Sequence, residues 1–237
     1  MCIRDRSIPL RPTGGHIGAL VLLRDVTDLR SRDRVLVSKD ATIREIHHRV
    51  KNNLQTVAAL LRLQARRINI PEGREALEEA VRRVGSIAIV HETLSQAFDE
   101  SVEFDDVADR LRVMVSEMSS RGGSVSSSRT GSFGTIPAEI ATPLAMALTE
   151  VLQNAVEHGF GDEAGAIVVT AQRAVGRLRV TVEDSGRGLP GEFDLDASTS
   201  LGLSIVRTLV ESELEGTLEM GAGSAGGTRV SIDVPMR

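Results

Sequence analysis

A chain of 237 residues that is 41% hydrophobic is long enough for one large or two small domains with real apolar cores. With five Phe and no Tyr or Trp those cores must be Leu, Val, Ile and Ala, and a formal net charge of −5 without a basic stripe or stacking aromatics argues against direct nucleic-acid binding. Cys2 alone excludes an internal disulfide, and Ile17–Leu23 is far too short to span a bilayer; with no signal peptide in view, a cytoplasmic protein is expected.

In chain order, Met1 to Ser7 matches no regular element, Pro9 to Gly15 is loop-like, and Ile17 to Arg24 reads as one strand. From Ser38 the pattern turns helical, with Ser38 or Asp40 as a cap. Ile43, Val50, Leu54, Val57, Leu61 and Ile68 recur at three- and four-residue steps as far as Asn69-Ile70-Pro71. Pro71 suits the first turn of a second helix, striped by Leu77, Val81, Val84, Ile87, His91, Leu94 and Phe98. Two long helices joined by a short turn form a hairpin. Its wide apolar face is buried if two copies pair into a four-helix bundle, so a homodimer is expected.

Beyond Phe98 the period changes. Helices are expected at Phe104 to Met118, Pro137 to His158 and Leu201 to Leu214. Strands are expected within Arg121 to Phe133 and at Ala166 to Arg173, Arg177 to Glu183, Gly216 to Met220 and Thr228 to Val234. Helices mixed with antiparallel strands predict a two-layer α/β sandwich, making the whole chain α+β. The expected division is a lead at residues 1–30, the helical hairpin at 31–99 and the sandwich at 100–237.

Three spaced motifs carry chemistry. Glu150, Asn154 and His158 are four residues apart and so share one helical face. A carboxylate and an amide one turn apart can hold a hydrated Mg2+, although by itself such a polar face is more often simply solvated. Asp184-Ser185-Gly186-Arg187-Gly188 follows a strand. A strand-end carboxylate can accept from an exocyclic amine such as adenine's, and the glycines let a flat ring approach the backbone; the plain alternative is a turn. Ser200-Leu201-Gly202-Leu203 opens an amphipathic helix whose free N–H groups suit phosphate, and Gly226-Gly227-Thr228 enters the last strand.

In order and spacing these motifs resemble the nucleotide boxes of the GHKL ATPase superfamily, with its Bergerat fold, over roughly Phe104 to Pro235. The resemblance implies ATP and Mg2+. It assigns Mg2+ coordination to Asn154, a base-like helper role and a water-mediated metal contact to Glu150, and adenine recognition to Asp184. Gly186, Gly188 and Gly202 shape the pocket and lid, flanked by Leu201 and Leu203, with Thr228 near the adenine and His158 on the nucleotide-facing helix. Pro190 to Thr199 corresponds to a short ATP lid, and Ser200 stands where many relatives have glycine.

Glu45-Ile46-His47-His48-Arg49-Val50-Lys51-Asn52-Asn53-Leu54-Gln55 resembles the phosphoacceptor box of HisKA_2 and HWE histidine kinases, and Arg24-Asp25-Val26-Thr27 resembles the tail of a PAS domain. His47 falls on the packed seam. His48, turned about 100° away, shares its face with Lys51, Asn52 and Gln55. The phosphoacceptor must be exposed, so His48 is the first choice and His47 the second. Neutral imidazole can attack phosphorus when positioned in line. Glu45 is a candidate proton acceptor, while Arg49 and Lys51 serve either phosphate charge or salt bridges. His91 and His16 are read as ordinary histidines. The implied activity is ATP-dependent autophosphorylation on histidine, followed by transfer to an aspartate of a response regulator receiver domain. Rivals are a serine kinase of the anti-sigma type, which lacks the hairpin and histidine pair, and a non-enzymatic nucleotide-binding dimerisation module.

Overall fold

The computed structural model describes residues 3–10, 18–25, 27–96, 101–118, 125–160, 164–191, 193–195, 200–224 and 226–236. They form two compact units, Met1–Ile46 and His47–Arg237, the boundary falling within a single long helix.

In the first unit, β1 (Ile3–Leu10) pairs antiparallel with β2 (Gly18–Asp25), Ile3 opposite Asp25 and Leu10 opposite Gly18. The expectation that Met1 to Ser7 lies outside any element is thus corrected. Arg4, Asp5 and Arg6 hide a strand from a search for apolar runs, but a ladder needs only backbone groups. Leu20, Val21, Leu22 and Leu23 are all exposed.

Helix α1 (Thr27–Ala65) begins well before Ser38, so neither Ser38 nor Asp40 caps it. Apolar periodicity begins near Ser38, but the helix begins earlier, because a charged stretch can stay helical without an apolar stripe. Helix α2 (Pro71–Leu94) follows, with Pro71 at its first turn as expected. Phe98, placed on its stripe by the sequence, lies outside the described residues. On α1 the half-buried or buried row is Ile43, His47, Val50, Leu54, Ala58, Leu61 and Ala65. Helix α2 has two faces. His91 meets α1, and the row Arg82, Ser86, Val90 and Leu94 is buried.

Helix α3 (Phe104–Met118) and helix α4 (Ala138–Asn154) lie in the same core as the strands β4 (Val125–Gly131), β6 (Gly165–Ala174), β7 (Arg177–Asp184), β8 (Thr217–Ala222) and β9 (Thr228–Pro235). The sheet order is β4-β6-β7-β9-β8. It is mixed rather than wholly antiparallel, since β4 runs parallel to β6. Two short strands, β3 (Ser101–Glu103) and β5 (Thr135–Pro137), form a second ladder that the sequence did not reveal. Helix α5 (Leu201–Arg207) completes the layer. Leu144, Leu148, Val151 and Leu152 of α4 share the core with Val180, Val182, Val230 and Ile232, each such burial contributing about 1.5–3 kcal/mol.

Candidate functional site

Two regular periodicities assemble the pocket. Along β7, Leu178, Val180, Val182 and Asp184 alternate onto the buried face, so the same row that builds the core delivers a carboxylate at its end. Asp184 is 5% exposed. Its Oδ1 accepts the N–H groups of Gly186 at 2.8 Å and Thr228 at 3.2 Å, leaving Oδ2 for an incoming donor. Two glycines make this packing possible. A Cβ on Gly227 would lie 2.0 Å from the Asp184 carbonyl oxygen, and one on Gly186 would lie 2.3 Å from that of Gly159.

On α4 the four-residue spacing holds Glu150 and Asn154 on one face. The helix then widens into a π-type turn over Ala155–Phe160, which carries Glu157, His158 and Gly159. Such a widening redirects side chains relative to a straight helix and is common beside functional sites. Asn154, His158, Asp184, Gly188, Leu203 and Thr228 line one cavity of about 430 Å³, together with Glu157, Arg187, Pro190, Phe193 and Met220. Arg187 and Phe193 were not singled out by the sequence. A basic residue between two glycines and a Phe in a loop carry no periodic signal.

The pocket fits a nucleotide in one specific respect: Asn154 Nδ2 is a buried N–H donor without a hydrogen-bond partner, which a phosphate oxygen or a metal-bound water would satisfy and a bare cation would not. An unsatisfied buried amide costs about 1–3 kcal/mol, and a ligand at this position would recover it. Other predicted residues stand apart from the cavity surface. Gly202 is buried behind it, where an added Cβ would sit 3.4 Å from Glu150 Oε2 and 3.6 Å from Asn154 Oδ1. Leu201 is 61% exposed. Gly186 supports Asp184. Glu150 is 4% exposed and held by Arg83 of α2, with Nε 2.7 Å from Oε1 and Nη2 3.1 Å from Oε2. Of the expected lid, residues 192 and 196–199 lie outside the described residues.

On α1, His48 is exposed and His47 half-buried, as the seam predicted. The sequence treated His91 as ordinary, but its Nδ1 lies 2.9 Å from Nδ1 of His47, a hydrogen bond in which the tautomers decide which ring donates. Burial, and then the nearby His47, push the His91 imidazole below its usual range. Lys51 proves to be a salt-bridge partner, donating to Glu92 at 2.7 Å. Hydrogen bonds from Arg110 of α3 and from Lys51 bring the Glu92 carboxyl down to about 2. These pairings, 41 and 44 residues apart in sequence, are invisible to local pattern.

The family comparisons agree with this geometry. Residues 45–119 match the HisKA_2 histidine kinase family, and residues 139–237 match the histidine kinase-, DNA gyrase B- and HSP90-like ATPases. The two matched stretches follow the order of the structure, the helical hairpin first and the mixed sheet with its helices second. The chain is 52% identical over 233 residues to the sensor histidine kinase PdtaS of Mycobacterium tuberculosis, spanning 98% of this chain and 46% of that protein. The PdtaS of Mycolicibacterium smegmatis is 53% identical, also over 233 residues. The histidine kinase domain of a blue-light-activated histidine kinase from Erythrobacter litoralis superposes with a TM-score of 0.61 at 29% identity. That match covers 86% of this chain and 94% of the solved one. The chain spans about half the length of the PdtaS relatives. Among the described residues no helix is long and apolar enough to cross a membrane.

Proposed function

We propose that this protein is the kinase core of a cytoplasmic two-component sensor, which phosphorylates His48 from ATP and passes the phosphoryl group to an aspartate of a response regulator. The observation that carries this reading is the conjunction of an adenine-competent carboxylate and an unsatisfied amide in one pocket with an exposed imidazole in the same compact unit.

Asp184 Oδ2 receives the adenine amino group while its Oδ1 is fixed by two backbone N–H groups. Asn154 would hold Mg2+, and Glu150 would act through a water once its carboxylate is free. Bound Mg2+ neutralises developing charge on the transferred phosphoryl group. His48 supplies a neutral ring nitrogen as nucleophile, with Glu45 a candidate to take its proton. Gly188, Leu203, His158 and Thr228 shape the nucleotide's surroundings.

A homodimer fits the second apolar face of α1. Ile46, Val57, Leu60 and Leu63 are 44–57% exposed, a patch that a second hairpin would cover in a four-helix bundle. Residues 1–30 are read as a PAS-like lead, 31–99 as the phosphotransfer hairpin and 100–237 as the ATP-binding domain.

Incubation with γ-labelled ATP and Mg2+ tests the reading. Wild type takes up label that is acid-labile and alkali-stable, His47→Gln retains it, and His48→Gln loses it. Acid-stable label would point to a serine kinase, and no label at all to a binding module.

A further inference from the structure

Transfer to His48 requires the γ-phosphate of a nucleotide in the pocket to reach α1, yet among the described residues none from α1 or α2 lines that pocket. Glu150 is also missing from its lining, although Asn154 one turn later is present. The side chain covering Glu150 is Arg83, which engages both carboxylate oxygens and is steadied by Glu79 one turn earlier on α2. Directly beside it, Arg82 reaches Glu157 at 3.5 Å, and Glu157 also accepts from Gln153. Two consecutive arginines of the hairpin therefore grip Glu150 of α4 and Glu157 of the π-type turn that follows it. They do so eight residues before His91, the α2 residue that meets His47. At the rise of an α-helix this is about 12 Å from the turn facing the phosphoacceptor box.

We propose that the Arg83–Glu150 pair is an autoinhibitory latch: it keeps the nucleotide pocket docked on α2 short of His48 and withholds Glu150 from the reaction until the pair opens. The inference rests on the reading of Glu150 as a helper in phosphoryl transfer. A bidentate guanidinium–carboxylate pair with one partner fully desolvated has a defined closed geometry. It opens only when both charges gain other partners, because an abandoned buried charge is costly. The open state would supply such partners: Glu150 would face the hydrated cation beside Asn154, and Arg83 would gain solvent while keeping Glu79. A third tie from α2, Glu92 to Arg110 of α3, lies in the turn that also binds Lys51 of α1. Movement of α1 against α2 therefore reaches these ties through α2.

The test uses the full chain with Arg83→Ala and the near-isosteric Arg83→Met, the second guarding against a folding defect in the first. Initial rates of histidine labelling are measured at saturating Mg–ATP, and affinity with a fluorescent non-hydrolysable ATP analogue. We expect either variant to label at least fivefold faster, with analogue affinity within twofold of wild type and faster amide exchange across residues 145–158. An unchanged or lower rate in a folded variant overturns the latch and makes the docked arrangement either productive, for instance toward a second chain, or merely structural. Glu150→Gln separates the two ideas. If it labels at the wild-type rate the helper role fails, whereas the exchange difference between wild type and Arg83→Met still reads the latch.

Discussion

The nucleotide pocket and the histidine hairpin from His47 onward occupy the same compact unit but are built on different principles. In the pocket the deciding atoms are backbone: carbonyls of Asp184 and Gly159 approach positions where Gly227 and Gly186 have no side chain, and amides of Gly186 and Thr228 orient the Asp184 carboxylate. Few other residues fit. In the hairpin the deciding contacts join side chains across helices, His47 to His91 and Lys51 to Glu92, and many pairs would serve as well. Backbone-built sites constrain residue identity tightly; side-chain-built interfaces constrain only shape and charge.

Substitutions in the two regions should therefore differ in kind. The largest effect is expected for Asn154→Ala, which removes the unsatisfied amide and leaves the core untouched. Autophosphorylation should fall at least 100-fold, about 2.7 kcal/mol of lost transition-state stabilisation, with an unchanged circular-dichroism melt. Near-normal labelling would remove Asn154 from the metal site. Asp184→Ala comes next. ATP affinity should drop at least tenfold, about 1.4 kcal/mol, and stability should also decline because two amides lose their acceptor. Calorimetric titration showing unchanged affinity would sink the adenine assignment and with it the claim that the pocket is backbone-defined.

The smallest effect belongs to the hairpin. The folded protein lowers the affinity of His91 for protons, so the neutral ring favours folding. That contribution is complete above the unfolded value near 6.5 and fades as pH falls below it. Between pH 7 and 5.5 the melting temperature of wild type should fall by about 2 °C more than that of His91→Leu, a difference of order 1 kcal/mol or less. Equal pH dependence would show that the histidine pair is not linked to packing. Glu92, with its carboxyl near 2, stays charged across this window and does not confound it.

How much could be read in advance follows the same division. Asn154, Asp184, Gly188 and Thr228 were legible because a strand end, a helix face and glycines at fixed offsets leave a signature in order and spacing. The inward side of α1 was legible from periodicity, which placed His48 outward and His47 inward. What escaped was the second face of α2. Arg82 and Ser86 are buried there in one row with Val90 and Leu94, and a row begun by a cation and a hydroxyl does not register as apolar. Glu150 was placed correctly on its helix, but its capture by Arg83, 67 residues away, depends on tertiary packing alone. The early start of α1 and the strand β1 were missed for a related reason, since backbone hydrogen bonding persists where side chains give no alternation.

Because Asp184 ends the inward row of β7, a one-residue slip of that strand against β6 and β9 would turn the carboxylate toward solvent while exposing Leu178, Val180 and Val182. Recognition of the base and correct strand registry are thus a single condition. A chain that captures nucleotide has already proved that its sheet is threaded properly, and the ligand in turn stabilises only those molecules that are.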